Sequence, residues 1–318
     1  MHNLRHFYYQ NKEKIWKVVL IIAFLLGIIY FLNNLVSKDN NTNNAVETNK
    51  TEGYSNEQTQ TYISDKSAIS GETVTESEVK KINNTISKFL QYCKNGNAEE
   101  AYNMLSEDCK ENEFSTLEKF KERYLQSKFT QNDVYEIESW IDDTYKISIS
   151  EDLLITGNAN SSKKIEYITI VEENNEEKLN INGYIGKKEI NKEITKNNVK
   201  ITATSKRTYM DYEIYDFKIE NLSNKTIKLD SLEKTGTMYL EDTAGNRYNA
   251  YAHELLEDEI EINSKRRLNI SIKYANTYSY KTTISKITFK NIILDYIKYK
   301  TTEDTKEFED ICELTINL

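Results

Sequence analysis

Residues 18–36, VVLIIAFLLGIIYFLNNLV, hold no charged side chain, and an uncharged apolar run of that length limits what the chain can be. A bilayer core of about 30 Å takes roughly 20 helical residues, so the run predicts a single N-terminal transmembrane helix. Trp16 and Tyr30 stand toward its two ends, where amphipathic rings favour the headgroup layer, while Asn33 and Asn34 make the outer end polar. A basic segment ahead of a short apolar run is also the form of a cleavable signal, but no A-x-A-like site follows and no cysteine stands directly after the run to accept lipid. Arg5, Lys12, Lys14 and Lys17 precede the run against Glu13 alone. The positive-inside bias then puts residues 1–17 in the cytoplasm and the rest of the chain outside the cell.

The formal net charge is −9. That sign repels phosphate backbones, so nucleic acid is not expected as a partner. Proline is absent, and the surplus of Asn, Lys, Ile and Tyr matches an AT-rich coding sequence of a single-membrane bacterium. Residues 37–77 are Asn, Thr, Ser and Glu with almost no apolar spacing. Nothing there offsets the entropy of ordering, so a disordered stalk is expected, with a reach of roughly 35 Å.

From Glu78 the pattern changes. Val79, Ile82, Ile86, Phe89, Leu90 and Cys93 recur at three- and four-residue steps and predict a helix ending at Asn95-Gly96-Asn97. Asn97 with Glu100 has the spacing of a helix cap and its reciprocal acid, and a second helix is expected through Ala98, Ala101, Tyr102 and Leu105. Ser115 and Glu118 repeat the device before a third, through Leu117, Phe120, Tyr124 and Leu125. A period of two then sets in: Tyr135, Ile137, Ser139 and Ile141 on one face, followed by Tyr145, Ile147 and Ile149, then Ile165, Tyr167, Thr169 and Val171, and a return through Leu179, Ile181 and Tyr184. Helices followed by hairpin strands predict an α+β unit over 78–190.

The run FLQYCKNGNAEEAYNMLSEDCK, with FSTLEKFKERY and the strands after it, resembles the nuclear transport factor two-like cone domain of exported proteins in Gram-positive bacteria. Some enzymes of that family place an Asp, Tyr or His inside the cone. Here no histidine lies between residues 78 and 194. Asp133, Asp142, Asp143, Glu151 and Asp152 fall at strand ends or turns, where carboxylates are solvated. Tyr135, Tyr145 and Tyr167 could donate into a pocket as that family's oxyanion holes do, but tyrosine on a strand is usually half-buried packing.

Three cysteines outside the cell make an odd count that argues against a disulfide framework. Cys93 borders the helix turn, whereas Cys109, carried on along an unbroken second helix, stands some 18 Å from it, too far for a bridge unless that helix ends early and doubles back. Cys312 takes an alternating strand position and reads as a small buried hydrophobe. With His2, His6 and His253 scattered and no Cys-x-x-Cys, no zinc site can be drawn.

After a charged connector over 186–196, the chain reads as strand upon strand through Val199, Phe217, Leu229, Leu240, Ile262, Ile272, Phe289 and Ile316, with a slip between Ile214 and Phe217 that suggests a bulge. Some eight short strands predict an all-β immunoglobulin-like sandwich over 198–318. YDFKIENLSNKTIKL, MYLEDTAGNRYNAY and RLNISIKYA resemble the telokin-like sandwiches of exported bacterial proteins, which implies an adhesion or scaffolding module. Residues 242–246 have a calcium-loop look but lack alternating carboxylates and a closing Glu, so a β-turn is the better reading. The acidic run 254–261 reads as a solvated connection rather than a partner-facing loop.

The expectation is therefore a single transmembrane helix, an α+β cone and a β-sandwich, held outside the cell as a binding or scaffold protein of the envelope. Its partner is an envelope protein or cell-wall component. No catalytic residue, cofactor or metal ligand is expected. The alternative is a cone that binds or hydrolyses a small molecule.

Overall fold

The computed structural model describes residues 61–63, 75–152, 163–279, 282–305 and 308–318. In chain order these form β1 (Thr61–Ile63); a helix α1 over 76–94; α2 (Ala98–Asn103); α3 (Glu107–Asn112); α4 over 117–128; β2 (Asp133–Ile141); β3 (Thr144–Glu151); β4 (Lys164–Glu173); β5 (Glu176–Asn180); β6 (Tyr184–Lys196); β7 (Val199–Tyr209); β8 (Glu213–Asn221); β9 (Ile227–Lys228); β10 (Met238–Asp242); β11 (Arg247–Asn249); β12 (Glu261–Ile262); β13 (Arg267–Tyr274); β14 (Ile284–Ile293); α5 (Tyr296–Thr301); and β15 (Ile311–Asn317).

Each long helix contains a wider π turn, Asn83–Ser87 in α1 and Lys121–Leu125 in α4. The first brings the adjacent Thr85 and Ile86 both inside, beside the stripe of Ile82, Phe89, Leu90 and Cys93. Asn97 stands at the start of α2, but its side chain accepts no capping bond. The capping is done elsewhere: Ser106 Oγ accepts the Cys109 N–H at 2.9 Å, and Thr116, rather than Ser115, accepts the Lys119 N–H at 3.2 Å.

These helices back a five-stranded sheet in the order β1-β2-β3-β4-β5, with β1 parallel to β2 and the other pairs antiparallel. A second sheet runs β13-β8-β7-β6, and a third β11-β10-β14-β9-β12 with β15 also on β14. Val199, Ile201, Phe217 and Ile219 of the second sheet share a core with Leu240, Ile287, Phe289 and Leu314 of the third. The Phe217 and Phe289 rings meet edge to face across it at 5.2 Å.

Two expectations about long-range organisation change. The transmembrane helix expected over 18–36 lies outside the described residues, as does the tail 1–17. Among the described residues no helix is long and apolar enough to cross a membrane. Even α1 carries Lys80, Lys81, Lys88 and Lys94 on its outer face. The fold class is therefore corrected to a mostly β protein with short helices, and the single-pass anchor and the orientation drawn from it are set aside. The stalk expected over 37–77 is corrected in part: Thr61–Ile63 pairs with Tyr135, Glu136 and Ile137, while residues 37–60 and 64–74 lie outside the described residues. Strand pairing uses main-chain groups, which apolar spacing does not report.

The charged connector is not a linker. Residues 184–196 form one strand paired along β7, with Tyr184 opposite Tyr209 at one end and Lys196 opposite Val199 at the other. The reversal between them uses Asn197 and Asn198 at φ of 50° and 61°. Tyr184 and Tyr209 lie in the helix-backed core, while Val199, Ile201 and Ala203 lie in the two-sheet core. One hairpin thus enters both cores, and the described residues fall in a single compact unit.

Candidate functional site

The core between the helices and the five-stranded sheet is where chemistry would be sought, and it is filled by rings. Tyr124, fully buried, stacks on Phe120 at 5.5 Å and meets Phe114 at 5.6 Å, Phe129 at 5.5 Å and Phe89 at 6.2 Å. Phe129 extends the cluster to Tyr135 at 6.4 Å. The hydroxyls of Tyr124 and Tyr135 are buried without a hydrogen-bond partner, and burial drives both phenol pKa values well up. Neither is poised to give up a proton near neutral pH.

The acids singled out in the sequence are dispersed, and Asp133, Asp142 and Asp143 are engaged. Asp133 is buried, not solvated, and takes the Thr130 N–H at 2.7 Å and the Thr130 hydroxyl at 2.8 Å. Asp142 turns the chain at φ 48° and accepts the Tyr278 hydroxyl at 2.9 Å. Asp143 pairs with Lys81 at 2.9 Å. Glu151 and Asp152 end β3 and follow it, where the Asp152 N–H reaches the Asn132 carbonyl. Tyr135 and Tyr145 point into the core, but Tyr167 lies on the opposite face, against Trp140 at 5.7 Å.

That displacement follows from the register of β4. The apolar alternation Ile165, Tyr167, Thr169, Val171 is not the inward row: Glu166, Ile168 and Ile170 are buried there, and Ile165 is 54% exposed. Glu166 is the acid that sequence reasoning missed. Its carboxylate takes the Lys128 ammonium on one oxygen and the Asn182 N–H on the other, and Gly183 adds a further backbone bond. Burial raises its pKa, against the pull of Lys128 and the two backbone donors. With both oxygens occupied it holds the turn Asn182-Gly183 in place, where residues at φ of 61° and 71° connect β5 to β6. The only signal for it in the sequence was one acid within an apolar strand, on the face a one-residue register change exposes.

The cysteines are free and buried. The second helix does end early, at Asn103, and α3 starts afresh at Glu107, so Cys93 and Cys109 join the same core without bonding. Burial pushes Cys109 up to about 12 and raises Cys93 well above the ordinary thiol range, which removes the thiolate that reactivity requires. Cys312 is 3% exposed in the two-sheet core.

Where the two cores meet, tyrosines supply donors, and α3 and the residue that ends it supply acceptors. Tyr184 donates to Asp108 and Tyr209 to Glu113, each at 2.6 Å, while Asn182 Nδ2 reaches the second oxygen of Glu113 at 2.9 Å. Tyr209 stacks on Tyr212 at 4.5 Å. Lys273 stands 4.3 Å from the Tyr212 ring and 4.8 Å from Tyr251, and pairs with Glu254 at 3.2 Å. Lys228, its side chain 3% exposed, similarly pairs with Glu257 at 3.1 Å. The acidic run 254–261 is thus pinned by two lysines, with Leu256 left 60% exposed.

On the outer face of the second sheet, Thr204, Asp216, Lys218, Asn269 and Ser271 line a shallow cleft of about 200 Å³. Asp216 accepts from Ser271 at 2.6 Å, Arg207 at 2.7 Å and Ser205 at 2.8 Å. Burial raises its pKa, but these three donors outweigh that and leave it below the usual carboxylate range. Asp242 in the suspected calcium loop accepts the N–H groups of Ala244 and Asn246, the Asn246 amide and the Tyr248 hydroxyl, so the carboxylate closes the turn itself. Among the described residues no three His, Cys, Asp or Glu side chains converge as metal ligands.

Compared with known proteins, the chain matches no family model, no curated protein and no solved structure.

Proposed function

We propose that the chain is a binding or scaffold protein of the bacterial cell envelope and performs no catalysis. The observation that carries this reading is the content of the helix-backed core: Tyr124 and its four ring neighbours occupy the place where a ligand would enter. The buried acids beside it, Glu166 and Asp133, each have both oxygens engaged. A general base needs a free oxygen within reach of a substrate proton. The β6–β7 hairpin adds support, because a strand pair embedded in two cores holds their outer faces at a fixed spacing, as a scaffold requires.

The envelope setting rests on the resemblance of 78–190 to nuclear transport factor two-like cones, and of 198–318 to telokin-like sandwiches, of exported bacterial proteins. The partner is a protein or cell-wall component rather than nucleic acid, since a net charge of −9 disfavours a phosphate backbone. In-cell crosslinking of the tagged full chain, followed by mass spectrometry, tests the reading. A reproducible set of envelope proteins or cell-wall fragments is expected. Saturable binding or turnover of a small molecule that Tyr135→Phe abolishes would overturn it.

A further inference from the structure

Between β11 and β12 the chain leaves the third sheet, touches the second and returns. The Tyr251 N–H reaches the Lys273 carbonyl on β13, and the Leu229 N–H reaches the Ile260 carbonyl. Between those two anchors, among the described residues, main-chain bonds stay inside the segment: the N–H groups of Glu254, Leu255 and Glu259 reach the carbonyls of Tyr251, Ala252 and Leu256. Residues 252–259 are therefore held to the rest of the protein by side chains. A segment held that way opens locally, well below the cost of unfolding the whole.

Four side chains do the holding. Ala252 and Leu255 rest on the two-sheet core, and neither is fully buried. Glu254 pairs with Lys273 on the second sheet at 3.2 Å, and Glu257 pairs with Lys228 on the third at 3.1 Å. Glu254, Glu257, Asp258 and Glu259 also repel one another, and the two lysines offset that repulsion.

The two ion pairs differ. Glu254 and Lys273 are both partly exposed, and Lys273 keeps the Tyr212 and Tyr251 rings with or without Glu254. Such a pair is weak and screened by salt. Lys228 is almost wholly buried, whereas Glu257 is 71% exposed. Apart from that carboxylate, the Lys228 ammonium has the Tyr296 hydroxyl at 3.2 Å and the Tyr296 ring at 4.7 Å, and neither carries a charge. A buried ammonium without a counter-charge is costly, and opening the segment relieves that cost by admitting water.

We propose that residues 252–259 form a strap from the second sheet to the third, latched by Glu257 on the buried Lys228 ammonium, and that this strap opens as a unit while both sheets stay folded. Closed, it hides Lys228 and the Tyr296 hydroxyl. Open, it presents the two together to solvent.

Hydrogen exchange and acetylation by an amine-reactive reagent, both on the full chain, read strap opening and Lys228 exposure. In the unaltered chain the amides of 252–259 are expected to exchange faster than those of β13 and β14, and Lys228 to acetylate more slowly than the exposed Lys80. Glu257→Ala should speed strap exchange and Lys228 acetylation about tenfold each, with β13 and β14 unchanged. Adding Lys228→Met to Glu257→Ala removes the charge that drives opening, and strap exchange should return to within about threefold of the unaltered chain. Strap exchange that Glu257→Ala leaves unchanged overturns the latch. Acceleration that extends equally through β13 and β14 overturns local opening. Faster strap exchange without faster Lys228 acetylation overturns the exposure of that amine, and a double variant as fast as Glu257→Ala alone overturns the role of its charge.

Discussion

Tyr124→Phe should make this protein more stable. The Tyr124 ring is fully buried among four others, and its hydroxyl has no hydrogen-bond partner. Leaving a buried polar group unmet costs about 1–3 kcal/mol, and deleting it removes that cost. The oxygen also contributes dispersion contacts worth a few tenths of a kcal/mol, which are lost. Lys128, 4.8 Å from the ring centre, keeps its aromatic face in either variant. The balance is a gain of about 1 kcal/mol, or roughly 2–4 °C in Tm for a unit of this size. Urea unfolding and calorimetry read both quantities. Tyr274→Phe, in the two-sheet core and likewise without a partner, should move the same way. Tyr209→Phe should move oppositely, by about 1.5–3 kcal/mol, because its hydroxyl donates to the Glu113 carboxylate. A loss of 1 kcal/mol or more in Tyr124→Phe alone would mean that the hydroxyl has a partner in solution, water or ligand, and the reading of a self-filled interior would fail with it.

The two engaged carboxylates should give stability opposite pH limbs. Asp216 is lowered in the fold, so its contribution is present above the unfolded value near 3.9 and lost as pH falls through the folded one; Asp216→Asn should flatten that acid limb and, at this half-buried site, cost about 1 kcal/mol at neutral pH. Glu166 is raised, so its contribution is full below the unfolded value near 4.3 and declines as pH rises through the folded one; that decline should be absent in Glu166→Gln. Glu166→Ala should cost roughly 3 kcal/mol in chemical denaturation, since it takes the carboxylate from Lys128 and strands the Asn182 N–H. Cys93 and Cys109 should resist a thiol reagent at pH 8 in the native protein and react fully in denaturant; rapid native labelling would contradict their burial.

What the sequence reveals here depends on whether the side chain or the main chain makes the element. The stripe of α1, the inward row of β2 and the turn at Asn174 and Asn175 were legible, because burial and left-handed turns leave a mark on residue type. The row of β4 was misread by one position, since Ile165, Tyr167 and Val171 alternate as convincingly as Ile168 and Ile170 do, and only tertiary packing decides which faces inward. The slip read between Ile214 and Phe217 is no bulge in β8: Ile214 turns toward the helix-backed core, and the extra residue lies in β7 between Ala203 and Ser205. α5 left too little pattern to find, being six residues long with Asp295 capping it through Lys298.

The charged stretch 186–196 bears most directly on function. Its lysines and glutamates leave few apolar positions, so they look like a solvated linker, yet the strand they form joins a tyrosine in one core to the hairpin end of the other. A true linker there would leave each half free to turn. A paired strand with Tyr184 bound to Asp108, and its neighbour β7 with Tyr209 bound to Glu113, fixes the two cores at both partners of the hairpin. Disrupting those bonds together should therefore loosen the spacing between the halves before it unfolds either one. A protein that works by holding surfaces apart would lose its activity at that step, whereas one that works inside a single core would keep it.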